Sequence, residues 1–119
     1  MKQGEKNKWG PKPKCHDKDI VYGIQCHICG ERYIGETKQR AADRFRQHYP
    51  SETNANKDSS VAKHHSQKHP DQEPNLEMVV LGRGRGFVSR KSFEAVVIHD
   101  EQPEINQIKA GKEVMDLYF

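Results

Sequence analysis

The chain has 119 residues, 33% of them hydrophobic, and its 20 Lys and Arg against 17 Asp and Glu leave a net charge of +3 at neutral pH. Mean hydropathy is −1.04, so the core is small and a bound metal would help the domain stay folded. No apolar run approaches the ~20 residues of a membrane helix, the polar N-terminus carries no secretory signal, and three cysteines, an odd number, argue against a disulfide framework.

Residues 1–19 are rich in Lys, Pro and Gly and read as a basic arm or linker, leaving 20–119 as the domain. Residues 20–25, IVYGIQ, are β-branched and aromatic, which predicts a strand. CHICG at 26–30 is a turn with a Cys-x-x-Cys knuckle, and ERYIGE at 31–36 is an antiparallel return strand, completing a hairpin. Thr37 is the expected N-cap of a helix over 38–49, with Ala41, Phe45 and His48 on one face. A polar loop over 50–57 leads to a second helix over 58–68, capped by Asp58 or Ser59 and ended by Pro70 and Pro74. LEMVVL at 76–81 is a third strand and GRGRG at 82–86 a flexible loop. A third helix covers 89–99, with Phe93, Val96 and Val97 expected to face the core. The tail from Pro103 is mixed and closes on VMDLYF, a candidate packed segment. The order predicts an α+β domain, a small three-stranded antiparallel sheet flanked by helices.

Tyr22 and Tyr33 lie on the two hairpin strands. Arg44 and His48, four residues apart, share a helix face, and Glu94 lies on the last helix. Cross-strand tyrosines are commonly plain packing. Joined to a guanidinium, an imidazole and a carboxylate, they form the set that phosphodiester hydrolysis needs. A carboxylate binds a hard divalent cation, metal and guanidinium offset charge on the phosphate, and a phenol or imidazole relays a proton.

These residues resemble the GIY-YIG nuclease signature. Ile20-Val21-Tyr22 stands where GIY is expected, Tyr33-Ile34-Gly35 is an intact YIG, Arg44 and His48 follow, SFEAVVI carries Glu94, and PEIN ends in Asn106. The resemblance spans about residues 20–106. It departs from the pattern at Ile20 and Val21, which replace Gly and Ile, and keeps the tyrosine. It implies a DNA endonuclease leaving 5′-phosphate and 3′-hydroxyl ends. Glu94 would bind Mg2+ or Mn2+ and Arg44 would contact the scissile phosphate. Tyr22 or Tyr33 would assist the attacking water, His48 would act as base or polarise Tyr22, and Asn106 would orient the site by hydrogen bonds.

Cys26 and Cys29 have the spacing of half a zinc site, completed by His64 and His69 or by His65 and His69, as a closed structural clip. Cys15 with His16 is another source of ligands. A Cys pair between the two Tyr motifs with later His resembles the endonuclease of Penelope-like retroelements. That likeness implies a reverse transcriptase domain in the same polypeptide and a nick whose 3′-hydroxyl primes reverse transcription, while the odd cysteine count and the polar N-terminus predict an intracellular setting, expected to be nuclear. Lys6, Lys8, Lys12 and Lys14 on the arm, Arg40 and Arg46 on the first helix, and Arg83, Arg85 and Arg90 around GRGRG are candidate DNA phosphate contacts. The competing readings are a zinc-stabilised nucleic-acid-binding module without cleavage, and a zinc-bearing protein-interaction domain.

Overall fold

The computed structural model describes residues 9–49 and 59–107. The chain runs β1 (Ile20–Cys26), β2 (Arg32–Thr37), α1 (Ala41–His48), α2 (Ser60–Lys68), β3 (Leu76–Arg83), α3 (Phe87–Glu101) and a 3-10 turn, Ile105–Gln107. The three strands form one antiparallel sheet in the order β2-β1-β3, so the domain is α+β as expected. Among the described residues no helix is long and apolar enough to cross a membrane. The expected loop at 50–57, the alternative cap Asp58, the VMDLYF segment, Lys6 and Lys8 lie outside the described residues.

The central strand β1 is covered on both faces, which is why its apolar run is nearly continuous. Alternation sends Ile20, Tyr22 and Ile24 to one face, where they pack with Ala41 of α1, Val61 of α2, Met78 and Val80 of β3, and Ile105. The opposite face meets Trp9 and α3. At Gly23 an added Cβ would lie 2.4 Å from the Trp9 ring, so only glycine admits the indole there. Phe93 lies over Gly82 with the same spacing. Register slips by one residue between Val21 and Tyr22 against β3, leaving Leu81 without a partner in the ladder.

Three expectations need correction. Residues 9–19 do not stand away from the domain. Pro11 accepts a hydrogen bond from the Val80 amide at the sheet edge, and the Trp9 indole donates to Glu101 beneath the Arg32 guanidinium. Thr37 does not cap α1. It ends β2, its hydroxyl accepts from the Gln39 amide, and α1 begins only at Ala41. The first helical amides, of Ala41 and Ala42, instead donate to the carbonyls of Asp17 and Cys15, which cross from the N-terminal segment. Ser59 does cap α2, accepting from the Ala62 amide.

The third correction concerns α3. Phe93 and Val96 are 43% and 57% exposed, whereas Arg90 and Glu94 are buried. The apolar residues of α3 are spread around its circumference, so no apolar stripe decides which side turns inward. Charge pairing decides it. Arg90 is 3% exposed and donates to Glu36 (2.7 Å), Asp19 (3.2 Å) and the carbonyls of Gly84 and Arg85. A buried guanidinium of this kind is stable only when its donors are used.

Candidate functional site

The register of the hairpin pairs Tyr22 with Gly35. A Cβ on Gly35 would stand 2.6 Å from the Tyr22 hydroxyl and 2.9 Å from the Tyr33 ring. The bare glycine therefore lets the Tyr22 side chain cross β2 and bring its hydroxyl beside α1. There the hydroxyl accepts from Arg44 Nε at 3.1 Å and lies 2.7 Å from His48 Nε2. On its other side, His48 Nδ1 is 2.8 Å from the Ser59 hydroxyl. The Tyr33 ring completes the cluster, its centroid 5.1 Å from that of His48 and 6.3 Å from that of Tyr22.

Burial sets the protonation of this cluster. Tyr22 is wholly enclosed, and that raises its phenol above the ordinary value while Arg44 opposes the rise. Burial, helped by the Arg44 charge, pushes His48 down to about 3, so its imidazole is neutral near pH 7. One arrangement of protons satisfies every group: the Tyr22 hydroxyl donates to His48 Nε2, and His48 Nδ1–H donates to Ser59. Arg44 also donates to Gln47 Oε1 at 2.9 Å, and Gln47 donates in turn to Gln39.

Glu94 approaches from α3. Burial is the main cause of its raised pKa, and Lys91, 3.0 Å away, opposes the rise. The charges of Glu94 and Arg44 act on one another, and Glu94 and Glu36 both act on Tyr22. Tyr22, Tyr33, Arg44 and His48 are thus brought together by two strands and α1, and Lys91 ties Glu94 of α3 to Glu36 of β2, at 3.0 and 3.9 Å. Asn106 bonds to the β2 backbone at the residue after Tyr33. Its amide clips the β2 backbone, accepting from Ile34 N at 2.7 Å and donating to Ile34 O at 2.9 Å.

A second cluster lies at the hairpin turn. Cys26, Cys29, His64 and His69 present one donor atom each, all within 4.8 Å of one another, and could hold a metal ion. Cys29 Sγ is 3.5 Å from His64 Nε2. A tetrahedral zinc centre with ordinary bond lengths places such a pair about 3.6 Å apart, so the spacing is compatible with zinc. His69 Nε2 is buried with no hydrogen-bond partner in the protein, which fits a metal-ligand atom. The turn is tight because Gly30, at φ 86°, follows Cys29 and donates back to the Cys26 carbonyl. Glu31 meets His64 Nδ1 at 3.3 Å and so faces the imidazole opposite to its donor atom. His65 is directed elsewhere, with Nε2 2.8 Å from the Gln72 carbonyl. Cys15 and His16 are exposed and outside the group.

Comparison with family models, with curated proteins and with solved structures found no match to this chain.

The arginines divide. Arg40, which precedes α1, and Arg46, on it, are exposed and share the carboxylate of Asp43. Arg83 pairs with Asp17 at 3.5 Å, and Arg85 is exposed. Arg90 has its donors turned inward onto Glu36, Asp19 and two carbonyls, so it is a buried brace and not a surface phosphate contact. Of the arm lysines, Lys12 lies 3.9 Å from Glu77 and Lys14 is exposed. Lys91 and Gln47 belong to the site although no motif marks them, and Glu36 joins it from the GET that overlaps YIG. The only sequence signal for the first two is their position: Lys91 precedes Glu94 by three residues, and Gln47 follows Arg44 by three.

Proposed function

We propose that this chain is a metal-dependent DNA endonuclease of the GIY-YIG kind, cutting a phosphodiester bond to leave 5′-phosphate and 3′-hydroxyl ends. The observation that carries the reading is the convergence of two phenols, a guanidinium, a neutral imidazole and a buried carboxylate from four separate elements.

In this reading Arg44 is the phosphate contact. Tyr22 and Gln47 hold its guanidinium from two sides, so little ordering is left to be done when substrate binds. Tyr33 is half-buried and meets the attacking water from the surface side, while Tyr22 links it to His48. Neutral His48 accepts a proton at Nε2, and Ser59 fixes the ring for that role. The donor set around Glu94 fits Mg2+ or Mn2+, which take one or two protein carboxylates and fill the remainder with water and phosphate oxygens. Glu94 would hold the ion, with Glu36 nearby, and the bound ion would offset charge on the phosphate. The Cys26, Cys29, His64 and His69 group would hold structural zinc, tying the hairpin turn to α2. The Cys pair inside the hairpin further supports a retroelement domain, joined to a reverse transcriptase and supplying the 3′-hydroxyl that primes it.

The test is nicking of supercoiled plasmid in Mg2+ or Mn2+. Glu94→Gln is expected to lower the nicking rate by about 10²–10³-fold while DNA binding persists. The Lys91–Glu94 ion pair favours the second reading, a nucleic-acid-binding module that does not cut, because it places a cation against the carboxylate that must take the metal. That reading wins if the unmutated protein binds DNA and leaves plasmid supercoiled in both metals.

A further inference from the structure

A cleft of about 460 Å³ opens along α1, beside the tyrosine–arginine cluster. Lys18, from the N-terminal segment, forms one part of its wall, and Lys38, Arg40 and Arg46 form another. Asp43 is the single acid, and the amides of Gln39 and Gln47 complete the lining. The lining contains no apolar or aromatic residue, so its chemistry favours a charged ligand over an apolar one. It offers four cations and two amides, the equipment for an anionic backbone. Asp43 anchors both guanidinia, at 3.0 Å for Arg40 and 3.1 Å for Arg46, which limits their freedom before any ligand arrives. Lys18 and Lys38 make no ion pair among the described residues, so their charge is uncommitted there.

The cleft is connected to the candidate active site through one side chain. Gln47 lines it and accepts from Arg44, which donates to Tyr22. A strand lying in the cleft would therefore run onto Arg44.

We propose that this cleft seats the phosphodiester backbone flanking the cut site, with Lys18 and Lys38 as phosphate contacts and Arg40 and Arg46 as a guanidinium pair braced by Asp43. The proposal rests on the nuclease reading and adds to it the path of the substrate strand. It also gives residues 9–19 a second role, since the segment that supplies Lys18 is the one whose carbonyls cap α1.

The test uses the full chain with duplex DNA and with supercoiled plasmid. In Lys18→Ala with Lys38→Ala, the slope of log affinity against log salt is expected to become shallower by about 1.8, the loss of two phosphate contacts. KM for nicking is expected to rise about tenfold with kcat kept within about twofold, since uniform binding is what is removed. Both side chains are exposed, so the melting temperature should not move. Lys18→Arg with Lys38→Arg should restore the slope. An unchanged salt slope in the double alanine variant, in a protein that binds DNA, would overturn the proposal. If the parent binds but never nicks, the nuclease reading fails, and the salt slope still decides whether the cleft carries the backbone.

Discussion

The side-chain amide of Asn106 holds both the N–H and the C=O of Ile34, the middle residue of YIG, across a separation of 72 residues. β2 is an edge strand, and this double bond supplies at its open edge what a further strand would supply. Asn106→Ala is expected to cost about 1–3 kcal/mol in urea unfolding, because two half-buried backbone groups lose partners together. Asn106→Asp keeps an acceptor for Ile34 N–H, loses the donor to Ile34 C=O, and should fall between. Parent-like stability in the alanine variant would mean that water replaces the clip at no cost.

Gly35 tests the second contact made by the same strand. A methyl group there meets the Tyr22 hydroxyl and the Tyr33 ring at once, and overpacking of this kind costs about 1–3 kcal/mol. Gly35→Ala should also displace the Tyr22 hydroxyl from Arg44 and His48, lowering nicking by more than the stability loss explains. In a Tyr22→Phe background the nearest contact, the hydroxyl at 2.6 Å, is gone while the ring carbon at 2.8 Å stays, so the penalty of adding alanine should shrink in part. Equal penalties in both backgrounds would show that the close approach is relieved elsewhere.

How far this arrangement was legible in the sequence depends on what each element relies on. The three strands were legible, because β-branched and aromatic runs bounded by turn residues have few other uses. The start of α1 was not, because its first amides are satisfied by Asp17 and Cys15, residues far back in the chain whose own sequence carries no capping signal. The inward side of α3 was misread for a related reason. Hydrophobic spacing pointed to Phe93, Val96 and Val97, of which only Val97 is half-buried, while the buried side follows Arg90 and Glu94, whose burial depends on partners from other elements. The cysteine pair was legible from spacing alone. Adjacent His64 and His65 are both buried, so only the direction of each ring distinguishes them.

Arg90 is the brace on which the inward side of α3 depends. Arg90→Met fills similar volume and leaves Glu36 and Asp19 without their guanidinium. Removing one partner of a buried pair costs about 3–5 kcal/mol, and thermal unfolding should show a loss of that order. Restoring neutrality with Glu36→Gln in the same chain should recover part of it. A loss below about 1 kcal/mol would place the network with ordinary surface pairs.

Metal removal should act on folding more than on chemistry. A structural ion at a thousandfold its Kd contributes about 4 kcal/mol, so a strong chelator should lower Tm by more than about 15 °C. Cys29→Ser should melt near the chelated parent and show no zinc by mass spectrometry, whereas Cys15→Ser, outside the group, should retain both metal and Tm. Glu31→Gln removes the charge that faces His64 Nδ1 at 3.3 Å, and should weaken metal affinity by about 10–100-fold without abolishing it. A parent whose Tm ignores chelation would remove the clip from the account.

The buried His48 makes stability depend on pH in a direction that its environment dictates. In the folded protein its pKa is depressed to about 3 by burial and by Arg44, while in the unfolded chain it sits near ~6.5. Above that value both states hold it neutral, and its contribution does not change with pH. Between the two values the unfolded chain takes up a proton that the folded site refuses, so stability falls as pH falls, by about 1.4 kcal/mol per pH unit. From pH 8 to pH 5, the parent should therefore lose about 2 kcal/mol more than His48→Asn, which has nothing to protonate. The other ionisable groups are common to both proteins, so the difference between the two curves isolates His48. Parallel curves would mean that the imidazole is reached by water and carries its proton in the folded state, and neutral His48 could then no longer serve as the acceptor for the Tyr22 hydroxyl.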